Sequence, residues 1–159
     1  SDGLNGEIND ANIELLIKTA ESLGVSLLIE NNVLSKDNFL EFKTNPLLMV
    51  EKHEIKKVME LFDNKNLNLL IDVAHLKVSS KSLKFDPIEL LDSCSKWIMA
   101  YHISDNDGTS DSNDPISDDS WFWDYLNKDK DYYSLEVYTQ NIEDLKNQLA
   151  LAQLKISDY

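Results

Sequence analysis

The 159-residue chain contains no arginine: its fifteen basic residues are all lysines, and twenty-nine acidic residues bring the formal net charge to −14. Proteins that bind nucleic acids draw much of their affinity from basic side chains that neutralise phosphates, so this composition argues against a nucleic-acid partner. The absence of arginine also removes the planar group that clamps phosphate or carboxylate with two parallel hydrogen bonds.

Cysteine and long apolar runs are also scarce. The single cysteine, Cys94, excludes an internal disulfide and is typical of a reducing compartment. No apolar run approaches the roughly eighteen residues that span a bilayer, and the first residues lack a signal-peptide pattern. With 42% hydrophobic residues, the chain is expected to form one soluble cytoplasmic domain over residues 1–159, with no membrane partner.

Four short apolar runs each end in a side chain that can bind a metal. They are residues 25–29 before Glu30, 67–71 before Asp72, 98–101 before His102 and 132–135 before Glu136. Runs of four or five residues suit buried parallel strands better than helices. Because segments with helical periodicity separate them, the sequence predicts an α/β fold of parallel βα repeats.

The intervening segments give the expected helices and loops. A first helix begins with a cap at Asn9 or Asp10 and ends at Gly24, and a second follows Pro46. A third helix opens at Asp86 and runs towards residue 94, and a final one covers residues 141–154. Loops are predicted at 33–46, with room for a helical turn near Asp37 to Phe42, and at 77–84 and 104–120. The aromatic stretch 121–126 is predicted to be a short helix, a lid or a core patch.

The polar residues at the ends of the four apolar runs predict a metal site. Parallel neighbouring strands place their carboxyl ends at one edge, so the four side chains should converge there. Three carboxylates and one imidazole suit Mn²⁺, Mg²⁺ or Co²⁺ better than Zn²⁺, which takes more nitrogen or sulfur. Each residue alone is an ordinary polar group at a loop edge, and the repetition in four successive units favours a site.

The roles of other polar residues near these strand ends stay open. His75, three residues after Asp72, is either a substrate hydrogen-bond donor or a structural histidine. The acidic loop 105–111 fails the EF-hand pattern, because Ile103 stands where the first aspartate ligand belongs. It is interpreted as a solvated turn from which Asp111 and Asn113 could reach the site as outer ligands.

Four segments carry a family resemblance: Leu-Leu-Ile-Glu-Asn at 27–31, Leu-Leu-Ile-Asp-Val-Ala-His at 69–75, His-Ile-Ser-Asp-Asn-Asp-Gly at 102–108 and Ser-Leu-Glu-Val-Tyr at 134–138. As an ordered set they resemble the sugar phosphate isomerase/epimerase family, which has the xylose-isomerase-like TIM barrel. That superfamily also holds ketose 3-epimerases and barrel-type apurinic endonucleases. The resemblance implies that the chain is the C-terminal half of a TIM-type (β/α)8 barrel, strands five to eight.

The resemblance also implies roles for individual residues. The implied metal ligands are Glu30, Asp72, His102 and Glu136. Glu30 and Glu136 would also be the catalytic acid/base pair, on opposite faces of a substrate carbon, and His75 would contact a substrate oxygen. The implied reaction is metal-assisted proton transfer next to the carbonyl of a sugar or sugar phosphate, through an enediolate.

Three departures from the family pattern leave alternatives open. Only four of eight units are present, so an N-terminal half-barrel or a second copy of the chain is expected to cover the apolar inner face. The Asp-x-His expected after His102 is replaced by Asp111-Ser112-Asn113, which argues against the metal-dependent endonuclease alternative. No arginine follows His102 to hold a hydroxyl or phosphate. A non-catalytic barrel relative that acts as an assembly or binding module is the other alternative.

Overall fold

The computed structural model describes residues 10–130 and 132–157, and the predicted cap residue Asn9 lies outside them. Helices separate β1 from β2 and β2 from β3 in these residues, as the apolar runs predicted. The elements are α1 (Asp10–Leu23), β1 (Leu27–Glu30), α2 (Lys36–Phe42), α3 (Lys52–Phe62), β2 (Leu67–Asp72), α4 (Val73–Leu83), α5 (Pro87–Cys94), β3 (Ile98–Ile103), β4 (Tyr132–Leu135) and α6 (Ile142–Ser157).

The four strands form one parallel sheet in the order β1-β2-β3-β4. This arrangement confirms the predicted α/β class and corresponds to half of a TIM-type barrel. The register pairs Asp72 with His102 after a shift between Leu69 and Leu70. Side chains alternate between the two faces of a strand, so Leu70 and Ala100 share the face of Asp72 and His102.

The core lies between the sheet and the helices. Leu69, Ile71 and Ile103 of the two central strands are at most 1% exposed, as is Ile55 of α3. Helix α5 begins as its sequence predicted: the carboxylate of Asp86 accepts a hydrogen bond from the amide of Ile88, and Pro87 occupies the first turn. No helix within the described ranges is long and apolar enough to cross a membrane.

The prediction of a loop at residues 77–84 is wrong, because helix α4 continues to Leu83. Its serines are accommodated by hydrogen bonds: Ser79 Oγ accepts from the amide of Leu34 at 2.9 Å and donates to the carbonyl of Asn32 at 3.3 Å. Ser80 Oγ donates to the carbonyl of Lys77 at 3.0 Å, within the helix. Ser79 therefore fastens α4 to the segment that follows β1, and Ser80 is satisfied within the helix.

The connection from β3 to β4 forms turns and irregular backbone in its described part, where the other crossovers contain helices. Phe122, Trp123 and Leu126 are at most 7% exposed and belong to the core cluster. The indole of Trp123 donates to the carbonyl of Ser117 at 2.8 Å. The aromatic segment is thus the predicted core patch, and it forms turns where the other crossovers contain helices.

Both outer edges of the sheet are open in the described part of the chain, since β1 pairs with β2 alone and β4 with β3 alone. Apolar side chains are exposed on the helices next to these edges: Leu15 and Leu16 on α1 are 64% and 53% exposed. A cleft of about 320 Å³ between β4 and α6 is lined by Leu135, Leu149 and Ile156, among others. The half-barrel therefore ends in unpaired strands and incompletely covered apolar surface.

Candidate metal centre at the carboxyl edge of the sheet

Three of the four predicted metal ligands converge at the carboxyl ends of β1, β2 and β3. Glu30 and Asp72 are the last residues of β1 and β2, and His102 is the penultimate residue of β3. One ligand atom from each lies within 4.8 Å of the other two. The parallel register produces this grouping, because it aligns the strand ends at one edge.

The fourth predicted ligand, Glu136, follows β4 directly and reaches the same centre through His102. Its backbone amide donates to the carbonyl of Ile103 at 3.0 Å, which extends the pairing one residue beyond the strand. His102 Nδ1 lies 3.0 Å from Glu136 Oε1 and 3.2 Å from Glu30 Oε1. The imidazole therefore stands between the two glutamates that were predicted as the acid/base pair.

Asp72 is the buried member of the centre. As the cap of α4 it uses one carboxylate oxygen: Oδ1 accepts from the amides of Ala74 and His75 at 2.8 and 2.9 Å. Its Oδ2 is buried and has no hydrogen-bond donor. Burial raises the pKa of the Asp72 carboxyl above its ordinary value, although the nearby His75 opposes the shift.

A cation is the partner that the free oxygen of Asp72 fits. A buried carboxylate oxygen that accepts no hydrogen bond is costly, and metal coordination is one of the usual ways to satisfy it. The carboxylates and imidazole around Asp72 are the donor types that Mn²⁺, Mg²⁺ and Co²⁺ accept. The chemistry of the donor set therefore suits a divalent ion.

Asn31 connects two of these strand ends and was not identified from the sequence. Its Nδ2 donates to the carbonyl of Asp72 at 3.1 Å, and its Oδ1 accepts from the amide of Asp72 at 2.7 Å. Asn31 is only 2% exposed. This reciprocal pair fixes the end of β1, and with it Glu30, relative to Asp72.

His75 lies beside the predicted ligands, where the resemblance implied a substrate contact. Its Nδ1 is 2.9 Å from the carbonyl oxygen of Asn31, and its Nε2 is 3.8 Å from Asp72 Oδ2 and 3.1 Å from Asp111 Oδ2. Burial lowers the pKa of His75, but Asp72, the Asn31 carbonyl, Asp111 and Glu30 outweigh it and raise the pKa overall. Both ring nitrogens face acceptors, the Asn31 carbonyl and the Asp111 carboxylate, an arrangement that matches an imidazole donating from both nitrogens.

The loop at 105–114 stands over His75 and is closed at its base. The backbones of Asp105 and Asp114 exchange two hydrogen bonds, of 3.0 and 2.8 Å. Lys77 Nζ donates to Asp105 Oδ1 at 2.6 Å, which ties the base of the loop to α4. Asn113 contributes to loop structure, since its Oδ1 accepts from Ser104 Oγ at 3.2 Å.

A second group that could hold a metal lies at the start of α3 and consists of Glu51, His53 and Glu54. Both glutamates already accept hydrogen bonds from backbone amides in a reciprocal capping box. His53 is exposed. This group therefore stabilises the helix start and lacks the free buried oxygen that marks Asp72.

Comparisons with known proteins identify the fold. No family model matches the chain, and no curated protein does. A solved structure described as the crystal structure of a D-tagatose 3-epimerase-like protein superposes with a TM-score of 0.71 at 17% sequence identity. The match covers 93% of this chain and 53% of that one, so the chain spans about half the length of the solved relative. The comparison supports an epimerase-like TIM-barrel fold, of which this chain forms a part.

Proposed function

We propose that this chain is the metal-binding half of an isomerase or epimerase that acts on a sugar or sugar phosphate. The residues proposed to hold one divalent cation are Glu30, Asp72, His102 and Glu136. The observation that carries the proposal is the buried, donor-free Oδ2 of Asp72 among these groups. When bound, the cation would stabilise negative charge on a substrate carbonyl oxygen.

The two glutamates are the proposed proton carriers. Glu30 and Glu136 approach His102 Nδ1 to 3.2 and 3.0 Å, and their side chains are 40% and 37% exposed, so a substrate can reach both. One carboxylate accepts the proton from the carbon next to the carbonyl, and the other returns a proton to the opposite face. His75, held by the carbonyl of Asn31, is the proposed hydrogen-bond donor to a substrate oxygen.

Activity is proposed to require four further βα units, supplied by an N-terminal half-barrel or by a second copy of the chain. The unpaired edges of β1 and β4, the exposed leucines of α1 and the cleft beside α6 support this. The match to only 53% of the solved relative supports it as well. The same open edges also favour the second candidate, a non-catalytic assembly module. Measurements of metal binding and turnover distinguish the two, because only the isomerase or epimerase requires both.

The substitution Glu136→Gln tests the catalytic proposal. It keeps the shape of the side chain and removes its ability to accept a proton, so exchange of the substrate proton with deuterated solvent should fall at least about 100-fold. Proton NMR of a ketose with the Mn²⁺-loaded protein in its natural assembly measures this. Glu60→Gln, an exposed change on α3, is the matched control and should retain full exchange.

The far-ultraviolet circular dichroism of both variants should equal that of the wild type, because Glu136 lies beyond the last residue of β4. A Glu136→Gln variant that exchanges the proton at the wild-type rate would exclude this glutamate as a proton carrier.

A further inference from the structure

Asp111 belongs to the centre, although the resemblance assigns it no role. Its Oδ2 is 3.1 Å from His75 Nε2, the same nitrogen that lies 3.8 Å from the free Oδ2 of Asp72. The Asp111 side chain is 29% exposed and that of His75 is 18% exposed. A carboxylate and an imidazole therefore stand side by side where a substrate can reach them.

The position of Asp111 is set by α4, the helix that also carries His75. Asn106 Nδ2 donates to the carbonyl of Ala74 at 3.0 Å, and Lys81 Nζ donates to the carbonyl of Asp107 at 2.6 Å. The reciprocal bonds between Asp105 and Asp114 close the loop that presents Asp111. One helix thus positions both members of the Asp111–His75 pair.

The loop after β3 is poorly suited to hold a phosphate. TIM barrels often bind phosphate through the loops after their seventh and eighth strands, which the family resemblance equates with β3 and β4. In this chain residues 105–114 of that loop carry four aspartates, Asp105, Asp107, Asp111 and Asp114. The lysines of α4 contact this loop: Lys77 bonds Asp105 and the carbonyl of Asn106, and Lys81 bonds the carbonyl of Asp107.

We propose that Asp111 is a specificity residue that, with His75, binds adjacent hydroxyls of an uncharged sugar and disfavours the phosphorylated form. The proposal rests on the proposed function and narrows its substrate class. A hydroxyl both donates and accepts, so a carboxylate and an imidazole N–H together match two neighbouring hydroxyls. A phosphate dianion offers only acceptors to Asp111 and adds negative charge beside four carboxylates.

Calorimetric titration of the Mn²⁺-loaded protein in its natural assembly with D-tagatose and with D-tagatose 6-phosphate tests the proposal. The wild type should bind the free ketose at least about tenfold more tightly. Asp111→Asn should weaken binding of the free ketose about tenfold, the effect expected when a hydrogen bond to a charged group is lost. Asp111→Lys should reverse the preference. Asp114→Asn, with the same charge change in the same loop, should alter either affinity less than twofold.

Tighter binding of the phosphate by the wild type would overturn the proposal. It would also be overturned by an unchanged affinity ratio in Asp111→Lys, or by a Mn²⁺-loaded wild type that binds neither sugar; in those cases the metal site stands. A protein that binds no Mn²⁺ removes the proposed function itself, and the role of Asp111 with it. The Mn²⁺ titration and the sugar titrations therefore separate the two failures.

Discussion

Replacing Asn31 with alanine removes a side chain that joins the ends of β1 and β2 through two hydrogen bonds. Both bonds involve the backbone of Asp72, which is fully buried, so its amide and carbonyl would lose their partner away from water. Each unsatisfied buried group costs roughly 1–3 kcal/mol. With two such groups, we expect the free energy of unfolding of Asn31→Ala to fall by about 2–6 kcal/mol.

Urea denaturation followed by circular dichroism measures this change, with Asn32→Ala as the matched control. Asn32 is the next residue, is exposed, and donates one hydrogen bond, of 3.2 Å, to the carbonyl of Leu48. Its replacement should cost less than about 1 kcal/mol. Equal losses of unfolding free energy in the two variants would show that the Asn31 bonds to Asp72 stabilise the fold no more than an exposed hydrogen bond.

The same substitution should weaken metal binding, since Asn31 holds Glu30 and Asp72 in their relative positions. Residues that orient metal ligands typically contribute about 10- to 100-fold in affinity. Calorimetric titration with Mn²⁺, without urea and at a temperature where Asn31→Ala is still folded, separates this loss of affinity from unfolding. Wild-type Mn²⁺ affinity in the folded variant would show that Asn31 supports the fold alone.

Two further predictions concern the fold. Burial raises the pKa of the Cys94 thiol to about 11. Between about pH 9 and 11 the unfolded state therefore holds fewer protons than the folded state, and the free energy of unfolding falls by up to roughly 3 kcal/mol. Urea denaturation at pH 8 and 11 should show this loss in the wild type; an equal loss in Cys94→Ala would contradict it. Gly108→Ala should destabilise the protein more than Gly24→Ala. Both glycines have a positive φ, so alanine costs about 1 kcal/mol at either position. At Gly108 the added Cβ would also lie 2.3 Å from the side chain of Lys81. Thermal unfolding compares the two variants, and equal shifts would mean that Lys81 moves aside freely.

The strands and the convergence of their polar ends were predictable because they depend on local patterns. The run ending at Asp72 is long enough for a buried strand and too short for a helix, and parallel pairing then places Asp72 opposite His102. The start of α5 was predictable from two adjacent residues, Asp86, which caps the helix, and Pro87 in its first turn. One domain over residues 1–159, a cytoplasmic location and the roles of the site residues stay predictions.

The features that sequence reasoning missed depend on contacts between distant residues. The serines of α4 were predicted to lie in a loop, and the bond of Ser79 to the segment after β1 depends on packing. Asn31 has no signal beyond its place after Glu30, since its partner is 41 residues away. Asp111 was predicted only as an outer ligand, because its contact with His75 requires the loop to close between Asp105 and Asp114.

Titration of the purified protein with Mn²⁺ tests the central claim, that the strand ends form one metal centre. We expect one saturable Mn²⁺ site per chain, weakened at least about 100-fold by His102→Ala and unchanged by His53→Ala in the second acidic group. Folded protein that binds no divalent ion, or that loses binding on His53→Ala and keeps it on His102→Ala, would show that the strand ends form no metal centre.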